Sequence, residues 1–277
     1  MMPGSPERCG DCVRLARVTS PDRALFVSDC HLGAGTPQED AARQDRLVTF
    51  LETEAASASS LFLLGDLFDF WFEYRHAVPR GHFRVLAALR RLVERGLPVT
   101  FVGGNHDFWA DTYLDQEIGC RVHRDPIEVT LQGRKLFLAH GDGLMAGDRG
   151  YLFLKSVLRH PLAITAYRWI HPDVGIPFAR VVSRLSRGHR DESLFDAESL
   201  RRRVALPRYE RGADAVVLGH FHVPTLIREN GRDFVVLGDW IERNCYAALE
   251  GGEFRLYRWQ DGRAVPLEPS PTNRSGS

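Results

Sequence analysis

SSLFLLGD, residues 59–66, is a short apolar run that ends in Gly-Asp. Runs of about four to eight apolar residues bounded by glycine and polar residues read as buried strands. The arrangement recurs as ALFVSD at 24–29, LPVTFVGGNHD at 97–107, KLFLAHGD at 135–142, DAVVLGHFH at 214–222 and FVVLGD at 234–239. Helical patterns lie between the first of these. Residues 39–53 carry Ala42, Leu47, Phe50 and Leu51 among charges. Residues 82–95 place Phe83, Leu86, Leu89, Leu92 and Val93 at helical spacing, with Gly96 as a stop. Strands alternating with helices predict an α/β fold. Polar groups gathered just beyond strand ends are where such sheets hold ligands.

The rest of the 277 residues fits one catalytic domain over 21–265. Hydrophobic residues make up 44% of the chain and charged residues 26%, an ordinary globular balance with enough apolar side chains for a sizeable core. Residues 1–20 are poorly patterned and are expected to be a flexible N-terminal segment. The tail at 266–277 contains EPSPTNRSGS and is expected to be disordered. Formal net charge is zero, which gives no general pull toward nucleic acid. Neither a nucleic-acid partner nor an obligate protein partner is expected. The first residues lack an apolar leader, and no apolar stretch reaches the ~20 residues that span a bilayer. The expected location is cytoplasmic. Cys9, Cys12, Cys30, Cys120 and Cys245 do not describe a disulfide scaffold, and CGDC at 9–12 lacks the further ligands a zinc site needs.

Five segments carry the chemistry: Asp29-Cys30-His31, Gly65-Asp66, Gly104-Asn105-His106-Asp107, His140-Gly141-Asp142 and Gly219-His220-Phe221-His222. Each lies at or just beyond an expected strand. In an extended Asp-x-His or His-x-His segment, alternation sends both side chains to one face. Carboxylate, imidazole and amide-oxygen donors suit divalent cations. Two such ions about 3.5–4 Å apart can clamp the attacking and leaving oxygens of an in-line displacement. A lone Gly-Asp is usually a turn, and a lone His-x-His is usually surface or local packing. The ordered combination is what points to a two-metal hydrolase.

The five blocks resemble the calcineurin-like metallophosphoesterase superfamily. FVSDCHLG, LLGDLFDFWF, GNHDFW, LAHGDGL, GHFHVP and VVLGDW are similar, more closely, to the UDP-2,3-diacylglucosamine pyrophosphohydrolase family of lipid A assembly. The resemblance implies an α/β fold built as a β-sandwich flanked by helices, with a helical cap insertion. It implies that Asp29, His31 and His222 hold one metal and Asn105, His140 and His220 the other, with Asp66 bridging. It implies two divalent ions, by family habit Mn2+. His106 and its neighbour Asp107 become the candidate catalytic residues. The pyrophosphohydrolase motif carries Arg where this chain has His106, a departure that leaves metal hydrolysis intact and weakens the substrate assignment. His106 is read as a general acid, as an electrostatic donor to a phosphoryl oxygen, or as a support behind the metal ligands.

The segment from about 143 to 200 breaks the strand rhythm. It is rich in Leu, Phe, Tyr, Trp and Arg, and Pro161, Pro172 and Pro177 divide it. It reads as a helical insertion. Between Arg149 and Arg190, Asp173 is the only acid. Arginines can hold phosphate, and apolar positions can surround acyl chains. Arg149, Tyr151, Arg187 and Arg190 are the candidate substrate contacts. The bland reading makes Leu152, Phe153, Val157 and Leu158 the packed face of a helix, and Trp169 and Ile170 ordinary core. With the resemblance, the expected substrate is a lipid-linked UDP-sugar, UDP-2,3-diacylglucosamine, met through transient contact at the cytoplasmic membrane surface. The alternatives are a metallophosphoesterase acting on another nucleotide, nucleotide-sugar or phosphomonoester, and a noncatalytic metal-bound interaction module.

Overall fold

Strand β1 (Arg23–Val27) is buried on both sides because its alternate residues serve two cores. Leu25 and Val27 face a helical layer, while Ala24 and Phe26 face a second sheet. This arrangement is general in the computed structural model, which describes residues 22–144, 149–187 and 195–267. The segment 1–20, with Cys9 and Cys12, lies outside the described residues, as does the tail from residue 268.

Strands β1, β2 (Ser60–Leu64), β3 (Val99–Val102) and β4 (Arg121–His123) run parallel. The antiparallel strands β10 (Cys245–Glu250), β11 (Glu253–Gln260) and β12 (Arg263–Pro266) extend them into a seven-stranded sheet ordered β12-β11-β10-β1-β2-β3-β4. A five-stranded sheet, ordered β5-β6-β7-β9-β8, is built from β5 (Ile127–Leu131), β6 (Arg134–Ala139), β7 (Ala215–Leu218), β8 (Thr225–Glu229) and β9 (Arg232–Val236). Phe26, Phe62 and Leu64 of the first sheet pack against Leu136, Leu138, Val217 and Val235 of the second. The result is the β-sandwich that the resemblance implied.

Helices α1 (Pro37–Glu52) and α2 (Phe83–Glu94) cover the outer face of the larger sheet, within two residues of the expected spans at each end. Thr36 and Glu39 form a reciprocal capping box at the start of α1, with Pro37 at its first turn. Buried Arg43 on α1 donates to the carbonyls of His31 (2.9 Å) and Ala34 (3.2 Å), so this helix fixes the loop after β1. The helical run 197–210 packs Leu200, Val204, Ala205 and Tyr209 under the smaller sheet. It is therefore scaffold, although the expected insertion ran to about 200.

The cap consists of α3 (Arg149–Leu158), α4 (Pro161–Arg168) and α5 (Pro172–Arg187). Lys155 pairs with Asp142 at 2.6 Å, and the Arg159 guanidinium lies 3.6 Å from the centre of the Phe108 ring. Phe70, Phe72 and Tyr74 of the loop after β2 pack against Ile164, Tyr167, Ile176 and Ala179 of α4 and α5. The cap carries exposed apolar side chains, including Phe153 (70%), Leu162 (74%), Phe178 (64%) and Trp169 (87%). Val157, Leu158 and Ile170 are also exposed, so the packed-face and ordinary-core readings of these positions are overturned.

Replacing a buried Phe by Ala removes about 3–5 kcal/mol when the whole fold depends on it. Here the cluster holds the cap, so the loss should be local. Phe72→Ala is expected to speed amide hydrogen exchange in α4 and α5 while β1, β2 and β3 keep their protection. Equal loosening of cap and sandwich would contradict a cap anchored by this cluster.

Candidate metal centre

The parallel strands end on the edge where the chemistry collects. Beyond β1 and β2 the two chains stay zipped: Asp29 N donates to Gly65 O (3.1 Å), His31 N to Asp66 O (2.9 Å) and Leu32 N to Leu67 O (3.0 Å). The extended geometry expected for Asp-x-His and His-x-His is not what aims these side chains. Asp29 (φ 56°), His31 (φ 45°), Asp66 (φ 52°), His220 (φ 74°) and His222 (φ 61°) are all left-handed. Left-handed corners turn the chain sharply, and Asp, Asn and His tolerate them better than most residues.

Asp66 sits at the centre and is fully buried. Its Oδ2 lies 3.3 Å from His140 Nε2, 3.8 Å from His31 Nε2 and 3.8 Å from His106 Nε2. To one side, Asp29 Oδ1 lies 3.2 Å from His222 Nε2 and 3.7 Å from His31 Nε2. To the other, His140 Nε2 lies 3.2 Å from both Asn105 Oδ1 and His220 Nδ1. Asp29, His31 and His222 thus form one group with ligand atoms within 4.8 Å of one another, and Asp66, His140 and His220 form a second. Among the described residues, neither imidazole nitrogen of His31 has a hydrogen-bond partner, nor does Asp66 Oδ2. Buried polar atoms are normally satisfied, and a pair of cations would satisfy these. His140 Nδ1 faces Leu64 O at 2.9 Å, which makes Nδ1 the donor and leaves Nε2 for a ligand. The donor set fits two divalent ions.

Electrostatics follow from burial. Burial pushes the Asp29 and Asp66 carboxyls up, but the surrounding histidines overcome it and hold both well below the usual carboxylate range. Burial lowers His31 to about 4. It acts on His140 too, yet Asp66 at closer range, with Asp29 and Asp142, raises that ring to about 10.

Asp107, the expected catalytic neighbour of His106, is fully buried behind the metal loops. Its carboxylate accepts from the backbone N–H groups of Gly104 (2.9 Å), Asp66 (3.1 Å) and Phe68 (3.3 Å). It positions the loops. Asp239, the acid ending the last apolar run, caps a turn by accepting from the N–H groups of Ile241 (2.8 Å) and Glu242 (2.7 Å). Helix α3 begins at Arg149 and includes Tyr151, and α5 ends at Arg187. The side chains of these three, and the whole of Arg190, lie outside the described residues.

Sequence reading missed Asp69 and Ser183. Asp69 Oδ1 lies 3.8 Å from His31 Nδ1 and 4.0 Å from His106 Nδ1, behind both rings. Its spacing in GDLFD was a usable signal. Ser183, on α5, reaches the same point and carried no signal of its own.

The calcineurin-like phosphoesterase family model matches residues 23–224. The chain belongs to that family. It is an enzyme family built on a two-metal centre, and the two groups above are clusters that could hold such a pair of ions. Among curated proteins, the UDP-2,3-diacylglucosamine hydrolase of Porphyromonas gingivalis is 34% identical over 258 residues, covering 86% of this chain and 98% of its own length. The hydrolase of that name from Nitrosococcus oceani is 31% identical over 223 residues, covering 78% of this chain and 86% of its own. The one from Aeromonas salmonicida is 30% identical over 266 residues, covering 91% and 98%.

Two outcomes are expected. A Cβ at Gly104 would lie 2.1 Å from Asp66 Oδ1. Gly104→Ala should therefore lower bound metal and turnover together, with metal analysis and circular dichroism showing a folded, metal-poor protein. Normal metal content would contradict the close approach. The second concerns pH. His140 in the metal-free protein is raised to about 10, so at neutral pH its proton must leave before a cation takes Nε2. Metal affinity should rise with pH through neutrality, with proton release seen by calorimetry in buffers of different ionisation enthalpy. His31, lowered to about 4, is already neutral and should contribute none. Affinity that stays flat between about pH 6 and 8 would contradict this.

Proposed function

We propose that the chain hydrolyses the pyrophosphate bond of UDP-2,3-diacylglucosamine, giving 2,3-diacylglucosamine 1-phosphate and UMP for lipid A assembly. The observation that carries this reading is the similarity to the Porphyromonas gingivalis hydrolase, 34% identical across 86% of this chain. We take 21–265 as one catalytic unit that carries α3–α5 as its cap. In this reading Asp29, His31 and His222 would hold one ion, Asn105, His140 and His220 the other, and Asp66 would serve both. Mn2+ is the ion we favour by resemblance to the family; imidazole, carboxylate and amide-oxygen donors suit divalent ions as a class. Two bound divalent ions supply Lewis acidity, neutralising phosphoryl oxygens and making water more acidic.

The remaining work falls to the chain. His106 Nδ1 lies 2.9 Å from Asp69 O, which fixes Nδ1–H as a donor. A proton added at Nε2 makes an imidazolium facing Asp66, with the Asp69 carboxylate behind it to stabilise the charge. Cleavage of a pyrophosphate releases a phosphate monoester whose second pKa is ~6, so its leaving oxygen needs charge compensation more than a proton. An imidazolium at His106 serves that need much as a guanidinium would. Asp107 keeps the loops in register.

The cap supports the lipid part. Its exposed Phe153, Leu162, Trp169 and Phe178 offer apolar surface, and burial against acyl chains contributes ~25 cal/mol per Å². Arg149, Tyr151, Arg187 and Arg190 remain our candidates for the charged head. The same exposed side chains suit transient contact with the cytoplasmic face of the inner membrane. Among the described residues no helix is long and apolar enough to cross it. A second reading, hydrolysis of another nucleotide or a phosphomonoester, is favoured by His106 alone, since an alcohol leaving group needs a proton.

A substrate panel separates the two. With metal-loaded protein, turnover on UDP-2,3-diacylglucosamine should exceed that on unacylated UDP-sugars, nucleotides and simple phosphomonoesters at equal concentration, and chelation should abolish it. Equal or faster turnover of the unacylated compounds would overturn the lipid assignment. Activity that survives chelation would overturn the metal assignment.

A further inference from the structure

We propose that Ser183, on cap helix α5, is a positioning residue for His106, so that seating of the cap completes the catalytic centre. The inference rests on the reading of His106 as a catalytic residue. Among the described side chains around it on α5, Val181 and Val182 point into solvent, while Ser183 is 7% exposed. Its hydroxyl does not fold back on its own helix, the usual fate of a helical serine. It reaches across to the loop after β2. Ser183 Oγ donates to Asp69 Oδ1 at 2.9 Å, and it lies 2.9 Å from His106 Nδ1 and 3.0 Å from Asp69 O.

The donor assignment is constrained. His106 Nδ1 has the Asp69 carbonyl oxygen at 2.9 Å, which can only accept. Nδ1 therefore carries the hydrogen. The hydroxyl spends its own proton on the Asp69 carboxylate and presents its lone pairs to Nδ1–H. One cap side chain thus adds a second acceptor for Nδ1–H and a donor to the carboxylate behind the ring. Ile176 and Ala179 of the same helix pack on the cluster of Phe70, Phe72 and Tyr74, and Arg180 lies over Gly33 beside the metal loop. When α5 is seated, Ser183 is in register with Asp69. When α5 lifts, His106 loses one of its holds. A substrate that engages the cap favours the seated state, and its binding energy is then expressed in turnover.

The test uses full-length, metal-loaded protein carrying Ser183→Ala, Ser183→Thr, His106→Ala and the Ser183→Ala/His106→Ala pair. Ser183→Ala should lower kcat about five- to tenfold, the scale of one hydrogen bond to a catalytic group, with metal content and KM little changed. Ser183→Thr keeps the hydroxyl and should recover most of the loss. In the His106→Ala background, Ser183→Ala should cost nothing further, because two residues that act as one unit are not additive. Nitrogen NMR of the histidines in metal-free protein gives a readout independent of turnover. The parent should show a sharp, slowly exchanging His106 Nδ1–H, and Ser183→Ala a shifted, faster-exchanging one. A full additive loss in the double variant, a rise in KM alone, or an unchanged His106 Nδ1–H signal in Ser183→Ala would overturn the proposal while leaving the role of His106 standing. A His106→Ala protein with parental turnover would overturn both.

Discussion

Asp66 is a carboxylate that water does not reach, with three imidazole nitrogens between 3.3 and 3.8 Å from one of its oxygens. Burying a charge is costly unless it is compensated, and the surrounding structure is organised around that compensation. The N–H of His106 donates to Asp66 Oδ1 at 2.9 Å. Asp107 ties the backbone of Asp66 to that of Gly104. Asp29 plays the matching part across the sandwich, accepting from the N–H of His220 at 2.7 Å. The two sheets therefore meet at the metal centre through hydrogen bonds as well as through their shared apolar core.

The left-handed corners at Asp29, His31, Asp66, His220 and His222 show how the scaffold meets this demand. Such backbone costs about 1–3 kcal/mol at each non-glycine position when nothing compensates it. The compensation is visible. Arg43 braces the carbonyls of His31 and Ala34, and the zipped hydrogen bonds between the loops after β1 and β2 hold both chains in place. The loops give up local comfort so that many donors can converge on a small volume.

Much of this was legible in the chain. The six apolar runs became β1, β2, β3, β6, β7 and β9, because strands buried on both faces read as continuous apolar segments. Strands β5 and β11 were not read, because their burial alternates along the strand and their polar residues dilute the signal. The ligand-type residues were found because their spacing is regular at strand ends. The reason given for their convergence was wrong: extended alternation was expected, and left-handed turns do the aiming. The backbone amides that Asp107 holds were not legible, because a buried carboxylate that caps amides looks, in sequence, like one that touches substrate. Ser183 could not be read at all, since its meaning depends on a contact 114 residues away in the chain with Asp69.

The loop after β2 divides its side chains among three tasks within nine residues. Asp66 enters the metal centre; Leu67, Phe68 and Trp71 enter the main core; Phe70, Phe72 and Tyr74 cover the underside of the cap. Inheritance of such a design is constrained. A cap of different sequence cannot be grafted onto this sandwich without changing Phe70, Phe72 and Tyr74 in step, and a sandwich stripped of its cap would carry those aromatics bare to solvent. Cap and loop are thus bound to diverge as one heritable unit, and drift in what the cap recognises should leave its trace within a few residues of the bridging aspartate.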